Sequence, residues 1–562
     1  MNTADNSLSR RAARRFWGWG AVDTVLEARE QATVKFMVEQ LGGQFAALTP
    51  PAVEDFDLPA PRIAAPPALA AMFSRAPLDR LNHAYGKSYA DCARMWLRQV
   101  PRPPDWVAYP DDEQAVVDIL DWAVRNKVAV IPYGGGSSVC GGVEPAVGQD
   151  YAAAISMDME RLGQVLEVDT VSRAARIQAG AYGPDIETQL RAHGLTLRHF
   201  PQSFEFSTLG GWIATRAGGH YATQYTHIDD FVESTRMVTP AGLMQTRRLP
   251  ASGAGPAPDR LVLGSEGTLG VITEAWMRLQ AKPKFRASAS VKFADYFAAA
   301  RCLRALTQSG LNPSNCRLLD PMETVFSGVG DGRQAMLVLG FESADHPLNA
   351  WMDRALELVR DHAGEYDAAA VERSMATEGS QEHRKGAAGA WREAFIRMPY
   401  WRDPAVGLGV IMDTFESAIT WDRFESFYQN VKSEVQSTIE RVTGQESLVS
   451  CRVTHAYPDG PAPYFTIAVL GSASGDVASA LAAWREIKLA ANAAVVAYGG
   501  TITHHHAVGR DHRSGYDLES PPLFRQMLDA AKAVVDPAGI LNPGVLFEAQ
   551  GRSAGPSGVL AG

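Results

Sequence analysis

Three stretches of small residues carry the first chemical signal in this chain. Pro132-Tyr133-Gly134-Gly135-Gly136-Ser137-Ser138 directly follows an apolar run. Its glycines have no Cβ, so backbone N–H groups can approach a ligand and converge on it. The two serine hydroxyls add donors suited to phosphate oxygens. No glycine stands three residues beyond Gly136 and no Gly-Lys-Ser/Thr follows, so this is neither a Rossmann fingerprint nor a Walker loop. Alone it reads equally well as a tight surface turn. Two more stretches change the reading. Pro201-Gln202-Ser203 leads through Phe206-Ser207-Thr208-Leu209-Gly210-Gly211 into Ala214-Thr215-Arg216-Ala217-Gly218-Gly219, and Gly264-Ser265-Glu266-Gly267-Thr268-Leu269-Gly270-Val271-Ile272-Thr273 pairs small hydroxyls with glycines. A long dinucleotide lies against backbone only where residues are small, so the three together predict a cradle for one.

Reactive side chains lie further along. His504, His505 and His506 are consecutive, so on an extended segment they cannot share a face; either His504 and His506 do, or the chain bends locally. A metal needs three or four converging ligands, and the triplet alone defines none, so no metal is expected. Arg317 and Arg402 could each fork to a phosphate or serve as surface ion pairs. Tyr464 sits within Pro463-Tyr464-Phe465-Thr466-Ile467-Ala468-Val469, a strand pattern in which a tyrosine serves packing or proton transfer.

These residues need a large scaffold. The chain has 562 residues, 46% apolar and 21% charged, enough for several folding units. Its 53 basic against 63 acidic side chains (net −10, pI about 5.8) argue against a sequence-independent nucleic-acid binder. Five cysteines without a CxxC pair read as reduced thiols, and a cytoplasmic location is expected. No apolar run is long enough to span a bilayer. Ser9-Arg10-Arg11-Ala12-Ala13-Arg14-Arg15 lacks the apolar core of an export signal, and the ending Val559-Leu560-Ala561-Gly562 carries no peroxisomal address.

Mixed helix and strand textures predict an α+β chain. Residues 1–99 form an irregular, helical extension, 100–280 a cofactor-binding domain, 281–500 a substrate domain, and 501–562 a closing segment. Asp111-Asp112-Glu113 should start a helix burying Val116, Val117, Leu120 and Ala123, with strands near 128–131, 152–157, 165–168 and 175–179 after it. An amphipathic helix is expected over Leu523–Val535. Glu372–Ala390 reads as a surface loop, or as a lid.

The small-residue stretches resemble the flavin-binding domain of the vanillyl-alcohol oxidase / p-cresol methylhydroxylase superfamily, as does the ending Asp536-Pro537 … Leu541-Asn542-Pro543-Gly544. The resemblance implies a two-subdomain PCMH-type FAD-binding domain, an α+β cap with an antiparallel sheet, and FAD bound between them. It implies cofactor contacts from Pro132, Gly134, Gly135, Gly136, Ser137, Ser138, Pro201, Ser207, Thr208, Gly210, Gly211, Ala214, Thr215, Glu266, Gly267, Gly270, Val271 and Ile272. The glycine loop has no histidine, so the FAD is expected to be non-covalent, with a C-terminal histidine linkage left open.

Further motifs resemble the alkylglycerone-phosphate synthase family, in its bacterial branch. They are Arg15-Phe16-Trp17-Gly18-Trp19-Gly20, His199-Phe200-Pro201-Gln202-Ser203, Cys316-Arg317-Leu318-Leu319-Asp320, Tyr400-Trp401-Arg402-Asp403, Cys451-Arg452-Val453-Thr454 and the histidine triplet. That resemblance implies exchange of the acyl chain of acyl-dihydroxyacetone phosphate for a fatty alcohol, through an adduct at the flavin N5. It casts Tyr464 as acid/base, Arg317 and His504–His506 as active-site groups, and Arg402 as a substrate ligand. The implied substrate is a phosphorylated, lipid-like small molecule; peripheral membrane contact and a homodimer stay open.

FAD-linked oxidation of an alcohol or 2-hydroxy acid is the alternative. The metal-assisted form of that chemistry lacks ligands here: His455-Ala456-Tyr457-Pro458-Asp459-Gly460-Pro461 offers no second histidine, and the superfamily's Glu-His pair reads His505-His506. A non-catalytic flavin-binding scaffold is a minor third reading, since it would have left these site residues eroded.

Overall fold

The computed structural model describes residues 14–375 and 397–547, except Ala47, Thr226, Trp401 and the side chain of Arg29. Residues up to Ala13, the ending Val559–Gly562 and most of the Glu372–Ala390 stretch lie outside the described residues. Helices and mainly antiparallel sheets make the chain α+β.

The first sheet sets Trp106–Ala108 and Val128–Tyr133 parallel to Ala153–Asp158, with Phe73–Ser74 at its edge. Helix Glu113–Asn126 connects the first two of these. Asp112 caps it, accepting a bond from Ala115 N–H at 2.8 Å. The helix buries Val116, Ile119, Leu120 and Ala123, while Val117 is only half-buried. Positions i, i+3, i+4 and i+7 form the apolar stripe, and Val117 falls beside it.

A second sheet orders Val165–Asp169, Ala174–Gln178, Val271–Arg278, Val232–Thr239 and Gly242–Gln245, all antiparallel. The closing segment is stitched to the first sheet: Val130 donates to Ile540 O at 2.8 Å and accepts from Asn542 N–H at 2.9 Å. Helix Pro522–Val535 forms as expected, yet Leu523, Met527 and Val534 on it are exposed. It is held at its end, where Lys532 Nζ reaches Asp536 Oδ2, Thr268 O and Leu541 O.

The third sheet positions the chemistry. Its order is Glu365–Tyr366, Phe285–Phe293, Ala335–Ser343, Asn315–Leu319, Leu448–Ala456, Pro461–Leu470, Val410–Glu416, all antiparallel. Helices Tyr296–Gln308, Asn349–Asp361, Phe424–Thr443 and Val477–Ala497 share one core with Cys316, Leu318, Cys451, Val453, Phe465, Ile467, Ile411 and Phe415. Side chains alternate along a strand, so Arg317, Arg452, Thr454, Tyr464, Thr466, Thr414 and Glu416 stand on the opposite face.

Candidate active site

A groove runs between the glycine stretches and that face. One cavity of about 230 Å³ is lined by Gly134–Ser138, Pro201, Ser207, Thr208, Gly211 and Thr215, and by Arg317, Arg402, Arg452, Tyr464, His505 and His506. A smaller one of about 100 Å³ is lined by Pro132, Gly210, Ala214, Glu266, Gly267, Gly270, Val271 and Ile272. They meet at Gly134, Ser138, Thr208, Gly211 and Thr215, forming one elongated site.

The glycines act in two ways. A Cβ on Gly135 would lie 1.8 Å from Phe206 O, so its absence lets the first two stretches touch. A Cβ on Gly211 would meet only Thr208 Oγ1, at 3.5 Å, leaving its open side to the groove. The hydroxyls are partly engaged already: Ser207 Oγ donates to Ser203 O at 2.8 Å and accepts from Trp212 Nε1 at 2.7 Å. Thr208 Oγ1 caps helix Leu209–Thr215 through Gly211 N–H. Glu266 accepts from Val508 and Gly509 N–H, both at 2.9 Å, and burial pushes its carboxyl up to about 7. Asn542 Nδ2 ties Gly142 O to Glu266 O at 3.0 and 2.7 Å, closing the smaller cavity from the chain's end.

The sheet wall is basic around one tyrosine. Arg452, Tyr464 and Glu416 are register partners on three adjacent strands. The Arg452 guanidinium lies 4.1 Å from the Tyr464 ring centre and pairs with buried Glu323 at 2.6 Å. Tyr464 donates to Thr414 Oγ1 at 2.9 Å. Burial raises its pKa, with Arg452 opposing, so the phenol keeps its proton at neutral pH. Arg317 is buried and donates to His220 O at 3.3 Å. Burial, then the charge of Arg452, pull its pKa down to about 9, a strain that an anion in the groove would relieve.

Glu416 explains the histidine triplet. Its Oε1 accepts from the backbone N–H of His504, His505 and His506 at 2.8, 2.8 and 3.0 Å, and from Thr503 Oγ1 at 2.7 Å. The segment therefore bends around a carboxylate, and its side chains fan out. His505 and His506 line the groove; His504 turns into a second cavity of about 910 Å³ with His227 and Tyr457. Burial alone would raise Glu416, but His505, His506 and His504 outweigh it and hold its pKa well below 4.5. One ring nitrogen each of His455, His504 and His505 lies within 4.8 Å of the others.

Arg402 reaches the groove, but its Nη2 donates to Lys87 O at 2.7 Å and contacts Cys92 Sγ at 3.0 Å. Its neighbour Asp403 accepts from Trp19 N–H at 2.6 Å, and a Cβ on Gly18 would meet Asp403 Oδ2 at 2.2 Å. The tryptophan-rich stretch thus packs on the helical segment that carries Arg402 and Asp403, and it sets Trp19 into the groove wall.

Every expected site residue except His504 lines the groove. Glu416, Thr414 and His227 went unread, while Arg452, His455 and Tyr457 stood in quoted motifs without a role at the site. Strand alternation from Tyr464 gives Thr466, but no local signal sets register across strands.

Among the described residues no helix is long and apolar enough to cross a membrane. Comparison with known proteins now fixes the class. A model of FAD-binding domains matches residues 104–247, and one of FAD-linked oxidase C-terminal domains matches residues 282–546. The groove fits FAD: long, walled by small residues, and open where Gly211 lacks a side chain. This is an FAD-dependent enzyme. The alkyldihydroxyacetonephosphate synthase of Caenorhabditis elegans is 30% identical over 83% of this chain and 80% of its own, and that of Dictyostelium discoideum 29% over 83% and 77%. A solved alkyldihydroxyacetonephosphate synthase superposes with TM-score 0.77 at 24% identity, covering 95% of this chain and 98% of that one. The chain belongs to the alkyldihydroxyacetonephosphate synthase family of FAD-linked enzymes.

Proposed function

We propose that this protein exchanges the acyl chain of acyl-dihydroxyacetone phosphate for a fatty alcohol, with FAD held along Gly134–Ser138, Thr208, Gly211 and the Glu266–Ile272 stretch. The observation that carries this reading is the pairing of two buried guanidiniums, Arg317 and Arg452, with one proton-bearing phenol, Tyr464, on a single wall. FAD, when bound, supplies an electron-accepting ring at which the substrate carbon reacts.

The remaining work falls to the chain. Arg317 offers a planar fork to the phosphate, and the anion offsets the repulsion from Arg452. Tyr464 protonates the departing carboxylate. As a phenolate, steadied by the Arg452 cation on its ring, it then takes the proton of the incoming alcohol. His505 and His506, oriented by Glu416, flank the substrate. Arg402, whose guanidinium is tied to Lys87 and Cys92, borders the groove, and its neighbour Asp403 fixes Trp19. A cytoplasmic site of action and non-covalent FAD complete the reading.

The test is product analysis of the purified holoprotein, under anaerobic conditions and without an electron acceptor, given palmitoyl-dihydroxyacetone phosphate and hexadecanol. Equimolar ether and fatty acid support the exchange. An aldehyde or ketone appearing only when an acceptor is added replaces it with alcohol oxidation.

A further inference from the structure

We infer that His505, His504 and the His227–Tyr457 pair form a proton exit from the flavin groove to the second cavity. His505 lines both cavities, whereas His504, His227 and Tyr457 line only the second. His505 Nδ1 is 3.0 Å from His504 Nδ1. The other nitrogen of His504, Nε2, is 3.0 Å from His227 Nε2 and 2.9 Å from the Tyr457 hydroxyl. Those two groups are 2.7 Å apart, so the path forks at its outer end.

An imidazole that faces a hydrogen-bonding partner on each side can accept a proton at one nitrogen and release one at the other. His504 is placed this way. Burial lowers the pKa of both His504 and His227, so each is neutral at rest and keeps a lone pair to receive a proton. Glu416 Oε2, 2.9 Å from His505 Nδ1, faces the transient cation. Arg216, whose charge opposes protonation of His504, is paired with Asp229 at 2.7 Å. Asp230 and Glu519 also border the outer cavity, where the proton would reach water.

The inference rests on the catalytic reading of the groove, and either candidate reaction leaves one proton for the path to carry. In acyl-for-alkyl exchange the acid formed when Tyr464 protonates the departing carboxylate gives that proton to His505 and leaves as the anion, while the incoming alcohol re-protonates Tyr464, so one proton per turnover stays in the groove. Alcohol oxidation gives one hydride to the flavin and leaves the hydroxyl proton. In each case a single proton must leave a buried wall: His505 takes it from the groove, a proton passes to His504, and the last is released from His227 or Tyr457.

The experiment compares holoenzyme variants Tyr457→Phe, His227→Asn and the double variant. Because the outer path forks, each single change should lower kcat only about two- to threefold, and the double change roughly 10- to 100-fold. KM and flavin content should hold, and the solvent deuterium effect should rise. Imidazole added to the double variant should restore kcat through the roughly 910 Å³ outer cavity. Single effects that multiply to the double effect, with no change in isotope effect and no rescue, would overturn the relay. So would a stoichiometric divalent transition metal in the holoenzyme that is lost in His504→Asn, because it would occupy the lone pairs. If the wild type oxidises alcohols and makes no ether, the proposed exchange fails and the same signatures are read on oxidation.

Discussion

Arg452 and Tyr464 are direct register partners on neighbouring strands, with the guanidinium carbon 4.1 Å from the phenol ring centre. A cation on the ring face favours the phenolate, while burial of the hydroxyl disfavours it. The wall therefore holds a protonated acid whose conjugate base has a built-in counter-charge.

Tyr464→Phe should cut turnover roughly 10²- to 10⁴-fold, the usual worth of a positioned acid/base, and leave bound FAD unchanged by its visible spectrum. Loss of flavin from this variant would make Tyr464 a structural residue.

The protonated phenol is the working form, so activity is lost as pH rises through its pKa. Since burial raises that pKa, the alkaline limb of kcat should lie above the ordinary tyrosine value of 10. Arg452→Met removes the opposing charge and should move the limb higher while lowering kcat. A limb in Arg452→Met that stays at the wild-type position would show the pair is not coupled.

Arg317→Met should raise KM for the phosphorylated substrate about 10- to 150-fold, from about 1.5–3 kcal/mol of charged hydrogen bonding. For the matching alcohol without a phosphate the KM should barely move. Equal effects on both would assign Arg317 to packing.

Gly135→Ala should abolish flavin binding along with folding, since its methyl would occupy Phe206 O. Gly211→Ala should fold with a near-native melting temperature yet bind FAD more weakly, because its methyl points into open groove. Full flavin retention in Gly211→Ala would move the cofactor off that edge.

Glu416→Gln keeps an oxygen able to accept from the three backbone N–H groups but removes its charge, at a cost of about 1.5–3 kcal/mol. A carboxylate held below its ordinary pKa contributes stability above its unfolded value of 4.5 and loses it as pH falls through the folded value. The gap in melting temperature between wild type and variant should therefore be full at neutral pH and shrink below 4.5. A gap independent of pH would mean the charge of Glu416 carries none of the effect.

Much of this was legible because it is local. Gly134–Ser138 and Gly264–Thr273 are contiguous, and small residues beside strands leave few uses other than close backbone approach. Tyr464 and Arg317 were found through motifs, and alternation assigns each a face. The row Arg452–Tyr464–Glu416 was hidden because it depends on the register of three strands, which long-range packing sets. The fan of His504, His505 and His506 was hidden for a related reason: the bend is imposed by Glu416, a residue 88 to 90 positions away. The exposed face of Pro522–Val535 shows the converse, an apolar periodicity that does not by itself say what is buried.

The most direct test is anaerobic titration of the holoprotein with palmitoyl-dihydroxyacetone phosphate, followed through the visible flavin band, with hexadecanol added afterwards. The account predicts that the band bleaches with the acylated phosphate and returns with the alcohol as ether forms, no acceptor being present. A band untouched by the acylated phosphate, but bleached by an alcohol or 2-hydroxy acid until an electron acceptor is supplied, would contradict it.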